Sequence, residues 1–243
     1  MNDQSKIQTI GRRASRLHDG TPAVPPKNLS TTKALVLDTA ELLFARYGLE
    51  GISLREIAAA AGQSNSNVVR YHFENKTGLI NAILDDRLKK MDVLREEQLN
   101  LLKKSEYKNP RKVLRCLWLP WVLLESSDGS HSFCQFYLYY AMHSGIARHP
   151  IFENLATSKD LCKNSKKAEK EFPSAIALIR MLSENFKSMP SELFAKRIVL
   201  AGMMLFSSIS QHDYERLHSN KKNAEYDIEP ILDMALAALQ APF

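Results

Sequence analysis

The sequence predicts an all-α fold from three observations. Apolar residues recur every three or four positions over long stretches. Glycine and proline are sparse, 9 and 10 in 243 residues, so few points interrupt a helix. No segment alternates apolar and polar residues as a half-buried strand would. The expected architecture is an N-terminal three-helix head containing a helix-turn-helix, joined to a larger C-terminal helical body. The length suits one sizeable core or a small domain plus a larger one.

Residues 1–29 read as a disordered basic tail. Gly20, Pro22, Pro25 and Pro26 punctuate it, and Lys6, Arg12, Arg13, Arg16 and Lys27 outnumber Asp3 and Asp19. It lacks the apolar stretch of a signal peptide. From Ser30, the residues Val36, Ala40, Leu43, Phe44 and Tyr47 fall at helical spacing, and Gly48 is suited to the left-handed position that ends a helix. Ser53-Leu54-Arg55-Glu56 is a capping-box pattern that opens a second helix, about Leu54 to Ala61, stopped at Gly62. A polar turn at Gln63 and Ser64 leads to a short third helix from about Asn65 to Tyr71. Val68 and Val69 are expected inside it, with Asn65, Ser66, Asn67 and Arg70 outside. Asn75 is the expected N-cap of a long amphipathic helix carrying Leu79, Ile83, Leu84, Leu88, Met91 and Leu94, to about Lys103. The head is expected over residues 30–90, with the helix-turn-helix at about 54–73, and the body over 91–243.

In the body, Asn109-Pro110 opens a helix with Val113, Leu117, Trp118, Trp121 and Leu124. A turn spans Ser126 to Ser130. The next helix carries Phe133, Phe136, Tyr137, Tyr140 and Met142 and is expected to end near Gly145. Ala156 to Glu171 is weakly patterned and lysine-rich, which reads as a solvated face or loop. Pro173 begins a helix with Ile176, Ile179, Leu182 and Phe186 on one side. Pro190 opens a long helix to about Leu217, apolar on nearly all sides between Ile198 and Phe206. Such a helix has to be covered on more than one face, and one cover can be a second subunit. A last helix runs from about Ile228 to Gln240.

The formal net charge is +6 and the pI about 9.1, which is compatible with a polyanionic partner. Cys116, Cys134 and Cys162 are odd in number and widely spaced, so neither a disulfide framework nor a zinc site is expected, and reduced thiols fit a cytosol. No apolar run approaches the roughly 20 residues of a bilayer span, so no membrane partner is expected and a cytoplasmic location is. No phosphate loop, metal spacing or nucleophile motif is present, so no catalytic residue, metal or cofactor is expected.

Two short helices about a tight turn form a unit whose second helix enters a major groove and meets base edges. Asparagine pairs with adenine and arginine with guanine through two hydrogen bonds each. At this point Ser53-Leu54-Arg55-Glu56-Ile57-Ala58-Ala59-Ala60-Ala61-Gly62, followed by Tyr71-His72-Phe73-Glu74-Asn75-Lys76-Thr77-Gly78-Leu79, resembles the DNA-binding domain of the TetR/AcrR family. The resemblance covers roughly Thr31 to Lys90. It implies phosphate contacts at Ser53, Tyr71, His72 and Lys76, with Phe73 in the small core. With the exposed polar residues, the candidate DNA-binding set is Ser53, Arg55, Ser64, Asn65, Ser66, Asn67, Arg70, Tyr71, His72 and Lys76. The chain departs from the commonest family form by one extra residue between Gly62 and Phe73, and by Arg70 where tyrosine is frequent. Arg12, Arg13 and Arg16 fit either a minor-groove arm or an idle tail.

The resemblance also implies a homodimer paired through the last two helices, with Gly202, Ser207 and Ser208 allowing close approach. A two-fold dimer then reads double-stranded DNA as an inverted-repeat operator. It implies a small-molecule effector in the body whose binding releases a repressor. Trp118, Trp121, Phe136, Tyr137 and Tyr140 fit either the lining of that cavity or ordinary core, and no polar clamp stands out among them. A helical DNA-binding protein without an effector, answering to a protein partner or acting structurally on DNA, remains the alternative. His131, His143 and His149 read as surface or hydrogen-bonded histidines.

Overall fold

The computed structural model describes residues 29–63, 65, 67–144, 166–218 and 225–242. Expectations that fall on the basic tail, on Ser64 and Ser66, and on Cys162 and His149 lie outside these. Among the described residues every regular element is helical, with no strand. They divide into two compact units, one ending at Asp86 and one beginning at Arg87.

The first unit contains α1 (Leu29–Tyr47), α2 (Leu54–Ala60), α3 (Asn67–Phe73) and the opening of α4 (Lys76–Leu101). Val36, Ala40, Leu43 and Phe44 of α1, Ile57 and Ala58 of α2, Val69 and Phe73 of α3, and Leu79, Ile83 and Leu84 of α4 are buried in its core, whereas Tyr47 and Val68, also read as apolar-face residues, are only half-buried. α1 packs on α2 and α2 on α3. Ser53 caps α2 with the full capping box. Asn75 caps α4: its side chain accepts from the Gly78 N–H at 2.9 Å and its carbonyl from Leu79 at 3.0 Å.

The second unit holds the rest of α4, a 3₁₀ turn at Lys104–Glu106, α5 (Pro110–Leu123), α6 (Ser132–Ser144), α7 (Lys166–Glu171), α8 (Pro173–Asn185), α9 (Ser191–His218) and α10 (Glu229–Gln240). α9 packs against α6 and α10, while α5 packs against α8 and α10. The core is aromatic. Trp121 stacks on Phe133 with ring centroids 5.2 Å apart and lies 4.2 Å from Phe206, which meets Tyr137 edge-on at 5.1 Å.

Three polar devices tie distant helices together. The Asp92 carboxylate of α4 accepts from the backbone N–H groups of Ser174 (3.1 Å) and Ala175 (2.8 Å). It thereby caps α8, whose own N-cap position, Phe172, offers no side-chain acceptor. Arg111 of α5 bridges Glu229 and Asp233 of α10, each at 2.7 Å. The Arg197 guanidinium of α9 donates to the carbonyls of Leu239, Ala241 and Pro242 at the end of α10.

α9 needs a correction to the sequence reading. An 18-residue window within it has mean hydropathy 1.5, enough by length and composition to cross a membrane. The expectation that no run approaches that threshold was too strict. Of that window 44 % is buried within the protein, so much of the apolar character serves the core. Of the small residues expected to face a partner helix, Gly202 is instead buried against the Phe206 ring. Ser208 accepts a hydrogen bond from the Tyr226 hydroxyl at 2.9 Å. Ser207 is exposed, as are Leu200, Tyr214 and Leu217 of α9 and Met234 of α10.

Candidate functional site

The turn between α2 and α3 is built from local backbone chemistry. Gly62 takes φ of 69°. Its N–H donates to the Ala59 carbonyl (3.1 Å) and that of Gln63 to the Ala58 carbonyl (2.9 Å). This pair of bonds is a Schellman motif, which closes α2 and needs a left-handed residue where Gly62 stands. The Gln63 side chain adds a bond to the Ala61 carbonyl at 3.1 Å.

α3 begins two residues later than the sequence pattern suggested, and it runs to Phe73. The reason lies in Asn65. Its side-chain oxygen accepts from the Asn67 N–H at 2.9 Å and its carbonyl from Val68 at 3.1 Å. Asparagine thus turns the chain into the helix instead of joining it. The same bond bears on base reading, because an Asn65 amide that paired both its groups with adenine would have to release the turn.

On α3 the exposed residues are Asn67, Arg70 and Tyr71, which share one face by their i, i+3, i+4 spacing. Val69 and Phe73 are buried on the other. Tyr71 is the most open, at 80 % exposure. His72 is half-buried, and its Nε2 atom is buried without a hydrogen-bond partner. Its ring meets Tyr71 edge-on at 5.2 Å.

Ser53 is exposed but occupied. Its hydroxyl and its N–H both donate to the Glu56 carboxylate, at 2.7 and 2.8 Å, and the hydroxyl oxygen accepts from the Glu56 N–H at 3.3 Å. Arg55 is exposed one turn into α2. Lys76 is the first residue of α4, with its Nζ 4.0 Å from the exposed Glu50 carboxylate and 5.9 Å from the centre of the Phe44 ring. An exposed pair at that distance contributes little, about 0–1 kcal/mol, so the ammonium can exchange Glu50 for another anion. Lys33 of α1 was not singled out from the sequence. It is exposed, with its Nζ 5.8 Å from the centre of the Phe73 ring at the end of α3. Its signal was a cation in the first turns of α1, which only the fold brings beside α3.

Between α3 and α4, Glu74 adopts φ of 62°, a left-handed conformation that costs a residue with a Cβ about 1–2 kcal/mol. Next to it, a Cβ added at Gly78 would collide with the Phe73 carbonyl oxygen. That glycine lets α4 start directly beneath the end of α3.

The second unit contains a partly open cavity of about 60 Å³. Trp118, Trp121 and Tyr137, three of the five aromatic candidates, line it. Phe136 and Tyr140 are buried but belong to the surrounding core. Phe206 of α9 and Arg95 of α4 also line it. Sequence reasoning missed both. The signal for Arg95 was a charge on an apolar stripe, since Leu88, Met91 and Arg95 share one face of α4 and all three are buried. Cys116 and Cys134 are buried thiols. Burial raises the Cys116 thiol above its usual range, with the Arg115 charge opposing, so it is held in the unreactive form.

The exposed face of α3 lies in the first unit and the cavity in the second, and α4 runs through both. No curated protein matches the chain. Residues 36–83, which run from the buried face of α1 through the helix-turn-helix into α4, match the family model described as bacterial regulatory proteins, tetR family. The N-terminal unit of this chain is thus a helix-turn-helix domain similar to that of tetR-family bacterial regulatory proteins.

Proposed function

We propose that the chain is a sequence-specific repressor that binds an inverted-repeat operator as a homodimer and leaves it when a small molecule enters the second unit. Residues 30–90 form the reading domain in this proposal and residues 91–243 the effector-binding and dimerisation domain. The observation that carries it is the outer face of α3, where Asn67, Arg70 and Tyr71 stand exposed on a helix fixed from behind by Val69 and Phe73.

In this reading Asn67 and Arg70 meet base edges, while Arg55, Tyr71, Lys76 and Lys33 meet phosphates. Ser53 contributes mainly by holding α2, since its hydroxyl is committed to Glu56. Asn65 acts mainly through the turn it closes. His72 reaches a phosphate only through its Nδ1 edge, because Nε2 is buried. Ser64 and Ser66 keep their proposed place in the turn on the strength of the sequence.

Support for the dimer comes from α9 and α10. Leu200, Ser207 and Tyr214 recur every seven residues on an exposed face, with Leu217 and Met234 also open to solvent. A stripe of this kind is covered when two copies pair about a two-fold axis. Release follows if the effector binds the DNA-incompetent conformation more tightly and shifts the population toward it. Regulators of this family act by binding rather than by catalysis, and the cytoplasm, where the DNA is, is the proposed location.

Selection of bound sequences from a random DNA pool tests the proposal. A consensus made of two inverted half-sites one helical turn or a multiple apart is the expected result. A single asymmetric site, or no enrichment, rejects the homodimeric reading.

A further inference from the structure

The cavity of the second unit has an unusual wall. Leu88, Leu117, Trp118, Ile179, Ile198 and Phe206 make it apolar, and Arg95 is the one charged residue among the described residues lining it. Arg95 is 3 % exposed. Its Nε donates to the Leu117 carbonyl at 3.0 Å, and its Nη2 approaches the Met91 sulfur at 4.0 Å. Its Nη1 is buried with no hydrogen-bond partner. The nearest acid along the helix, Asp92, has each carboxylate oxygen bonded to a backbone N–H at the start of α8.

Burying a cation with an unpaired donor costs several kcal/mol unless an anion meets it. Burial lowers the Arg95 pKa to about 10, with the Asp92 charge opposing, so the group still carries its proton at neutral pH. The guanidinium is fully buried and charged, Asp92 balances it only at a distance, and its Nη1 is left without an acceptor beside an apolar space.

We propose that this cavity takes a small monoanionic organic acid, an apolar body bearing one carboxylate, whose oxygens accept from Nη1 of Arg95. The apolar walls favour a monoanion over a phosphate dianion, because each added negative charge costs more to desolvate there and Arg95 is the single cation among the described residues of the lining. The walls select the body, since Trp118, Trp121, Tyr137 and Phe206 offer aromatic surface and no second cation. The cavity of about 60 Å³ is smaller than the roughly 150 Å³ that takes a benzene ring, so even a short chain or a single ring has to widen it. Movement of Met203, an adaptable side chain in the wall, supplies that room. The inference rests on the effector-binding reading above and assigns the chemical class of the effector.

The chain has two tryptophans, Trp118 and Trp121, and both line the cavity, so intrinsic fluorescence reports on it directly. The full-length protein would be titrated with hexanoate and phenylacetate, and separately with hexanamide and phenylacetamide, while tryptophan emission and operator binding are followed. Each carboxylate is expected to bind at least about tenfold more tightly than its amide, the size of one charge-assisted hydrogen bond. Arg95→Met should abolish that preference and Arg95→Lys keep part of it. Amides that bind as well as the acids would overturn the proposal. If those amides also release DNA, the effector reading survives without the anion. Acids that bind and leave operator affinity unchanged uphold the anion site and remove its regulatory role. Silence of the fluorescence toward all four compounds rejects the site. Should Arg95→Met fail to fold, the acid-to-amide ratio in the unaltered chain decides.

Discussion

His131 stands between two acceptors, its Nδ1 3.0 Å from the Asp213 carboxylate and its Nε2 2.9 Å from the Val122 carbonyl oxygen. A neutral imidazole has one N–H and satisfies one of them, whereas the imidazolium satisfies both. Burial works against the charge. The hydrogen bond to Asp213, the charge of Asp213, the Val122 carbonyl and the charge of Glu125 outweigh it, and the pKa lies above the ordinary 6.5. The second Asp213 oxygen accepts the backbone N–H of His131 at 2.6 Å, and Arg216 comes within 3.8 Å of the first. With the folded pKa raised, this contribution to stability is fully present below about pH 6.5 and is lost as pH rises through the folded value. Urea unfolding from pH 5.5 upward should therefore show a loss of stability with rising pH that His131→Gln removes. Equal slopes in the two proteins would refute the imidazolium. The sequence reading already had His131 as surface or satisfied. It gave no sign of Asp213, which lies on another helix.

At the scale of elements, α2 and α3 are short, and local chemistry sets their limits more than packing does. Ser53, Glu56 and Gly62 mark α2 in the sequence, and the structure places its cap and its Schellman closure there. α3 was misread by two residues because Asn65 is equally suited to a helix surface and to a turn, and only the Asn67 N–H bond separates the two. The elements also sort the proposed contacts. Lys76→Ala should weaken binding to every DNA sequence and lower the slope of log K against log salt by about one unit. Arg70→Ala should relax base preference at one position per half-site, by roughly 1–3 kcal/mol. Salt titrations on specific and random duplexes measure both. An unchanged salt slope removes Lys76 from the phosphate contacts, and a sequence-independent loss at Arg70 removes it from the base readers.

For the whole molecule, the exposed stripe of α9 is the feature that a single copy leaves unexplained. Leu200 is 64 % exposed and Tyr214 59 %, a large apolar contribution to solvent for one helix face. Leu200→Glu should convert the protein to monomers in sedimentation equilibrium and weaken binding to a full operator far more than to an isolated half-site. A variant that remains dimeric would move the interface elsewhere. The fold of each unit should survive, since Leu200 is outside the core.

The sequence by itself determined the all-helical class, the start and stop signals of the first helices, and the residue types presented by the helix-turn-helix. Those depend on periodicity, capping and glycine geometry, which act over a few residues. Tertiary structure alone decided that Asp92 caps α8 across 82 positions, that Gly202 faces inward against Phe206, and that Arg95 is buried with one nitrogen unpaired. Each is a burial or a long-range pairing. A charge on an apolar stripe reads the same in sequence whether solvent, an acid or an empty cavity lies beyond it.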